Sequence, residues 1–261
     1  MIGQRPTRDP LAELAADPPT ATLLGAARAE IDSLLWRRDI RTHAADVATS
    51  AAERGARDSA AIDGADLAVA DASPMGRVLD AAMRLTAAIP GQVEVFATSP
   101  LQALAHLHAL TATGFVPDEE LGRPRSVERA DDPLHLGVLP SAGLAAERLS
   151  LLARTLTTPT EAPALLVAAI AHAELAVIRP FTWGSGMVAR AAVRLVIAGR
   201  GVDPSLFSIP EHGMFEMGRP AYVRALQGYS SGTREGVLAF IGWQATACAQ
   251  GATAVPTPFV P

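Results

Sequence analysis

The 261-residue sequence contains no lysine and no asparagine, so all 22 of its basic residues are arginine. The missing lysine excludes a Walker-type phosphate loop and a pyridoxal Schiff base, each of which needs that amine. The missing asparagine excludes N-glycosylation. Cys248, the single cysteine, has no partner for an internal disulfide. No apolar run is long enough to span a bilayer, and the opening MIGQRPTRDP lacks the apolar segment of a secretory leader. With a formal charge of −5 there is no overall basic footprint for nucleic acid or an anionic membrane. These absences lead to the expectation of a cytoplasmic protein that binds neither. What is abundant is alanine, 52 residues, within an apolar share of 49% that suffices for one substantial core. An excess of Ala and Arg without Lys and Asn is also what GC-rich codons produce.

Ala, Leu and Arg favour helix, and only 5% of the residues are aromatic, so the expected class is all-α. The 20 Pro and 21 Gly cut the chain into segments. Apolar spacings of three, four and seven predict a helix from about Ala21 to Trp36, and another follows Asp39 to Ile62, ending at Gly64. Further helices are expected over Val69 to Ala88, Pro100 to Thr113 and Ala142 to Thr155. Segment 114–142 carries four prolines and no helical period, which predicts a long surface flap with room for a short hairpin. Thr160 is the expected N-cap of a helix reading PALLVAAIAHAELAVI, apolar on nearly every face and therefore central. A second strong helix, MVARAAVRLVIA, closes at Gly199, and the last two span about Arg219 to Gln227 and Arg234 to Gln250.

Between the two strong helices lies Gly184-Ser185-Gly186. Glycine lets the backbone approach a ligand closely, and the unpaired N–H groups of a helix start favour an anion. Around this turn the chain reads His172-Ala-Glu-Leu-Ala-Val-Ile178, then Arg179-Pro180-Phe181-Thr182-Trp183-Gly184-Ser185-Gly186-Met187-Val188-Ala189-Arg190. Without a gap, this resembles the Fic family pattern H-P-F-x-[DE]-G-N-G-R-x-x-R and the H-x-x-F-x-x-I that often precedes it. Ser59-Ala-Ala-Ile62-Asp63-Gly64 is similar to the family's inhibitory-helix motif [ST]-x-x-x-E-[GN], with Asp for Glu. The order of the remaining helices agrees, so the resemblance covers about residues 20–250. It implies an all-α Fic-like domain over 76–250 with a Pro-rich flap. Residues 21–75 would supply N-terminal helices with the inhibitory-like motif, between a flexible 1–20 and an extended 251–261.

Fic proteins transfer AMP or related groups to protein hydroxyls, and the resemblance carries those roles onto particular positions. The general base is replaced by Arg179, which stays charged and has no acceptor. The acid that holds Mg²⁺ is replaced by Trp183, which offers a hard cation no oxygen, so Mg²⁺ is not expected. The first motif arginine is Met187, and the turn asparagine is Ser185. Pro180, Phe181, Gly184, Gly186 and Arg190 remain, with Ser59, Asp63 and Gly64 opposite them. The implied reading is a silent or impaired transferase that keeps an anion or nucleotide site at Gly184, Ser185, Gly186 and Arg190, with ATP or another nucleotide as candidate ligand. It would work through a protein partner, with homo-oligomerisation left open. The alternative is an active transferase using a distant base such as Glu174 or Glu211. Arg179 is open to an ion pair with an acid such as Asp63, to phosphate contact, or to a neutral replacement. Trp183 is expected to fill or cover the nucleotide pocket. His172 and Cys248 read as buried core residues, and His106 and His108 as pointing to different faces.

Overall fold

The computed structural model describes residues 9–65 and 74–256. They form twelve α-helices: α1 Pro10–Ala15, α2 Pro18–Trp36, α3 Arg38–Thr42, α4 Ala44–Ile62, α5 Pro74–Thr98, α6 Pro100–Ala112, α7 Ala142–Thr157, α8 Ala164–Ile178, α9 Ser185–Gly199, α10 Pro210–Glu216, α11 Arg219–Ser230 and α12 Arg234–Thr253. No strand occurs among the described residues, so the all-α expectation holds.

Helix α8 is central because its sequence is apolar all round. Leu166, Ala171, Leu175 and Ile178 are fully buried, each large side chain contributing about 1.5–3 kcal/mol. Its most extensive partner is α9, which also packs on α5. Helix α2 lies along α12, and α4 lies against α5 and α10, so the N-terminal helices share this core.

Several boundaries differ from expectation for identifiable reasons. Within the stretch 1–20 expected to be flexible, residues 9–20 are ordered: Asp9 caps α1, and the Asp17 carboxylate caps α2 by accepting the Thr20 N–H at 3.3 Å. Thr160 does not cap α8. Its hydroxyl instead donates to Asp9, and Pro163, which disfavours helix at Ala162, sets the start at Ala164. The segment 39–62 breaks at His43, separating α3 from α4. Helix α5 runs ten residues past Ala88 and through Pro90, because burial of Ile89 and Phe96 outweighs the hydrogen bond that proline removes. The first part of the helix expected over Val69 to Ala88, residues 69–73, lies outside the described residues. Helix α12 continues to Thr253, into the stretch 251–261 expected to be extended; residues 257–261 lie outside the description.

The flap carries a single 3₁₀ turn, Asp118–Glu120, and no hairpin. Side chains take the place of a ladder. Arg125 donates to the carbonyls of Val127, Pro140, Ile178 and Arg179, and the Asp132 carboxylate accepts the N–H groups of Leu136 and Gly137.

Candidate functional site

The turn from α8 to α9 begins at Arg179, a non-glycine residue at φ 46°, which costs on the order of 1–2 kcal/mol. Tertiary contacts hold it there. Its buried guanidinium pairs with Asp132 at 2.9 Å and donates to the carbonyls of Val138 at 2.7 Å and Gly137 at 3.2 Å. Arg179 is thus an ion-pair partner as anticipated, but with the flap's Asp132 and not with Asp63. Two backbone bonds, Arg125 N–H to the Pro180 carbonyl and Asp131 N–H to the Thr182 carbonyl, stitch the flap to the same loop.

Phe181 is buried and stacks on His108 with ring centres 3.9 Å apart. Burial pulls His108 down to about 4, so its ring is neutral and Nδ1 accepts the Gly122 N–H. Ser185 closes the loop, its hydroxyl accepting the Phe181 N–H at 3.1 Å. Met187 is buried in the core.

Gly184 at φ 74° needs the freedom of glycine, and its N–H donates to the Asp131 carboxylate at 3.1 Å. The flap therefore places its own carboxylate on the first N–H of the turn. Burial pushes Asp131 up to about 7; the Gly184 N–H and Arg179 oppose this, while Asp63 and Asp132 add to it.

On the far side, fully buried Arg190 donates to Asp63 at 2.7 Å, to the Ser59 hydroxyl at 2.8 Å and to the Ser59 carbonyl at 3.1 Å. The Asp63 charge and Tyr222 hold the guanidinium protonated against its burial. Gly64, at φ 93°, terminates α4 beside this pair. His172 donates through Nδ1 to Gln244 and accepts the Tyr222 hydroxyl at Nε2; burial lowers it to about 3, a neutral core histidine.

Among Asp63, Asp131, Asp132, Leu134, Arg179 and Gly186 there remains a cavity of about 20 Å³, enough for one water. Trp183 does not fill it. The indole turns outward onto Phe115, stacking at 3.8 Å, and lines a separate depression of about 290 Å³. Closure comes from the flap, a role that Asp131, Asp132 and Arg125 share and that motif reading missed. The acids stand in the sequence as Asp131-Asp132, but nothing local to them records their partners. The acids considered as substitute bases lie elsewhere: Glu174 binds Arg148 and the Tyr229 hydroxyl, and Glu211 is buried beside Arg194. His106 is exposed and His108 buried, while Cys248 is buried with its thiol pushed up to about 12.

No family model matches the sequence, and no curated protein does. Solved structures do match. A Fic family protein from Desulfovibrio desulfuricans G20 aligns over 96% of this chain and 76% of its own, with TM-score 0.73 and 19% identity. Fic-1 from C. elegans aligns over 95% and 74%, with TM-score 0.63 and 16% identity. The chain has the Fic fold. On this Fic fold, the α8–α9 turn and the end of α4 meet as the sequence motifs imply. A magnesium nucleotide does not fit the residues as arranged: the Gly184 N–H is taken, Arg190 is paired, Trp183 offers no oxygen, and the cavity holds a water at most.

Proposed function

We propose that this Fic-fold chain is a pseudoenzyme that transfers no nucleotide and acts in the cytoplasm by binding a protein partner. The observation that carries the reading is Arg179. A guanidinium ion-paired to Asp132 and bonded to two flap carbonyls stands where proton abstraction would require an acceptor. Loss of a positioned base alone costs about 10²–10⁴-fold in rate. The donors expected to bind an anion are taken from within the chain: the Asp131 carboxyl accepts the Gly184 N–H, and Asp63 pairs with Arg190.

The test is transfer of label from α-labelled nucleoside triphosphates, with Mg²⁺ or Mn²⁺, to the protein itself and to a cell extract. No transfer is expected. Transfer that Arg190→Ala abolishes would overturn the proposal. Partner binding is checked by recovery from extract of a protein whose association is indifferent to added nucleotide.

A further inference from the structure

A second concavity, of about 470 Å³, lies on the other half of α4, bounded by α4, the start of α10 and the end of α12. Its volume falls in the range of small-molecule sites. The floor is apolar: Val47, Ala51, Ile209 and Val255 present buried side chains. Polar groups converge from one end. Arg54 and His212 line the wall, and Arg54 Nη2 lies 3.0 Å from His212 Nδ1. Behind them, Asp58 accepts from Arg54 Nε at 2.9 Å and contacts His212 at 3.0 Å.

This arrangement fixes a cation in place without consuming it. Nearly fully buried Asp58 anchors one edge of a guanidinium whose side chain remains 51% exposed. The contacts of Arg54 involve Nε and Nη2, so Nη1 has no partner among the described residues. A planar guanidinium held at one edge presents the other to a carboxylate. Asp46 lies at the opposite end, eight residues or about 12 Å back along α4, and disfavours a second anionic group there.

We propose that this pocket binds a small monocarboxylic acid with an apolar body, the carboxylate on Arg54 beside His212 and the body over Val47, Ala51, Ile209 and Val255. The ligand bridges α4 to α10 and α12, so its binding also resists separation of α4, and with it Asp63, from the core.

The test is calorimetric titration of the full chain with sodium octanoate, with 1-octanol as the neutral probe of the same body. Octanoate is expected to saturate one site and to bind at least about tenfold more tightly than octanol. Arg54→Gln is expected to erase that preference. Ser50→Trp, placed at an exposed lining position and clear of the core, is expected to abolish binding of both probes and keeps the test valid should the Arg54 variant fold poorly. Equal affinity for the two probes, absence of saturable octanoate binding, or binding unaffected by Ser50→Trp would overturn the proposal. So would octanoate binding that appears only after removal of residues 257–261, since it would assign the pocket to the chain's own end.

Discussion

Two arginines one helical turn apart on α9 bind α4 to the core, and they do so with unequal quality. Arg190 makes a 2.7 Å pair with Asp63 and adds both polar atoms of Ser59. Arg194 stands 3.6 Å from Glu211, where Arg194 Nε and Glu211 Oε2 find no hydrogen-bond partner. Burial raises the Glu211 carboxyl, whereas Arg190 is held firmly charged. A buried ion pair repays its desolvation only when its remaining donors and acceptors are satisfied. Neither pair meets it fully, since Asp63 Oδ1 and Arg190 Nη1 also lack partners, but the first has the shorter contact and both bonds to Ser59, and it closes the Fic-fold turn. The second has the longer contact, with Arg194 donating instead to the Leu206 carbonyl at 2.8 Å, and neighbours the open pocket on α4. The difference shows that buried charge alone does not explain why α4 stays docked.

The largest effect is expected from Arg190→Met, which strands Asp63 and Ser59. It should cost about 3–5 kcal/mol by chemical denaturation. Gly55→Ala comes next. A Cβ there would meet Arg194 Nη1 at 2.8 Å and Glu211 Oε2 at 3.1 Å, so a loss of about 1–3 kcal/mol is expected.

Asp131→Asn should act in the opposite direction. Burial pushes the folded carboxyl up to about 7 from an ordinary 3.8, so the folded state holds the proton more tightly. Its contribution is most favourable below pH 4 and is lost as pH rises through 7. Asparagine keeps an acceptor for Gly184 and removes the charge. Stability at pH 8 by chemical denaturation should therefore rise by on the order of 1 kcal/mol relative to wild type, and the decline between pH 5 and 8 should flatten. The smallest change is expected from the double replacement Arg194→Met with Glu211→Leu, within about 1 kcal/mol of wild type by denaturation. A loss as large as that of Arg190→Met would erase the contrast between the two pairs.

Much of this was legible in the residues. The apolar run of α8, the Gly184 to Gly186 turn and the spacing of Ser59 and Asp63 led to the helices and contacts observed, since each depends on local periodicity or a short motif. Flap closure was not legible. It depends on Arg125 and Asp131 reaching across from a segment without periodicity, and nothing local to them records their partners. Trp183 was misplaced for a related reason: its position followed from the motif, whereas its direction is set by stacking on Phe115, 68 residues away in sequence. Pro90 inside α5 and Thr160 ahead of α8 are cases in which long-range burial and a neighbouring proline overrode local signals.

The central claim, a Fic-fold turn occupied by the protein's own carboxylates, is tested most directly by nucleotide binding. A thermal-shift series with ATP, ADP, GTP and CTP, each with and without Mg²⁺, measures it, because a ligand selective for the folded state raises the melting temperature. No shift is predicted for any nucleotide. A saturable rise that Arg190→Ala removes would contradict the account.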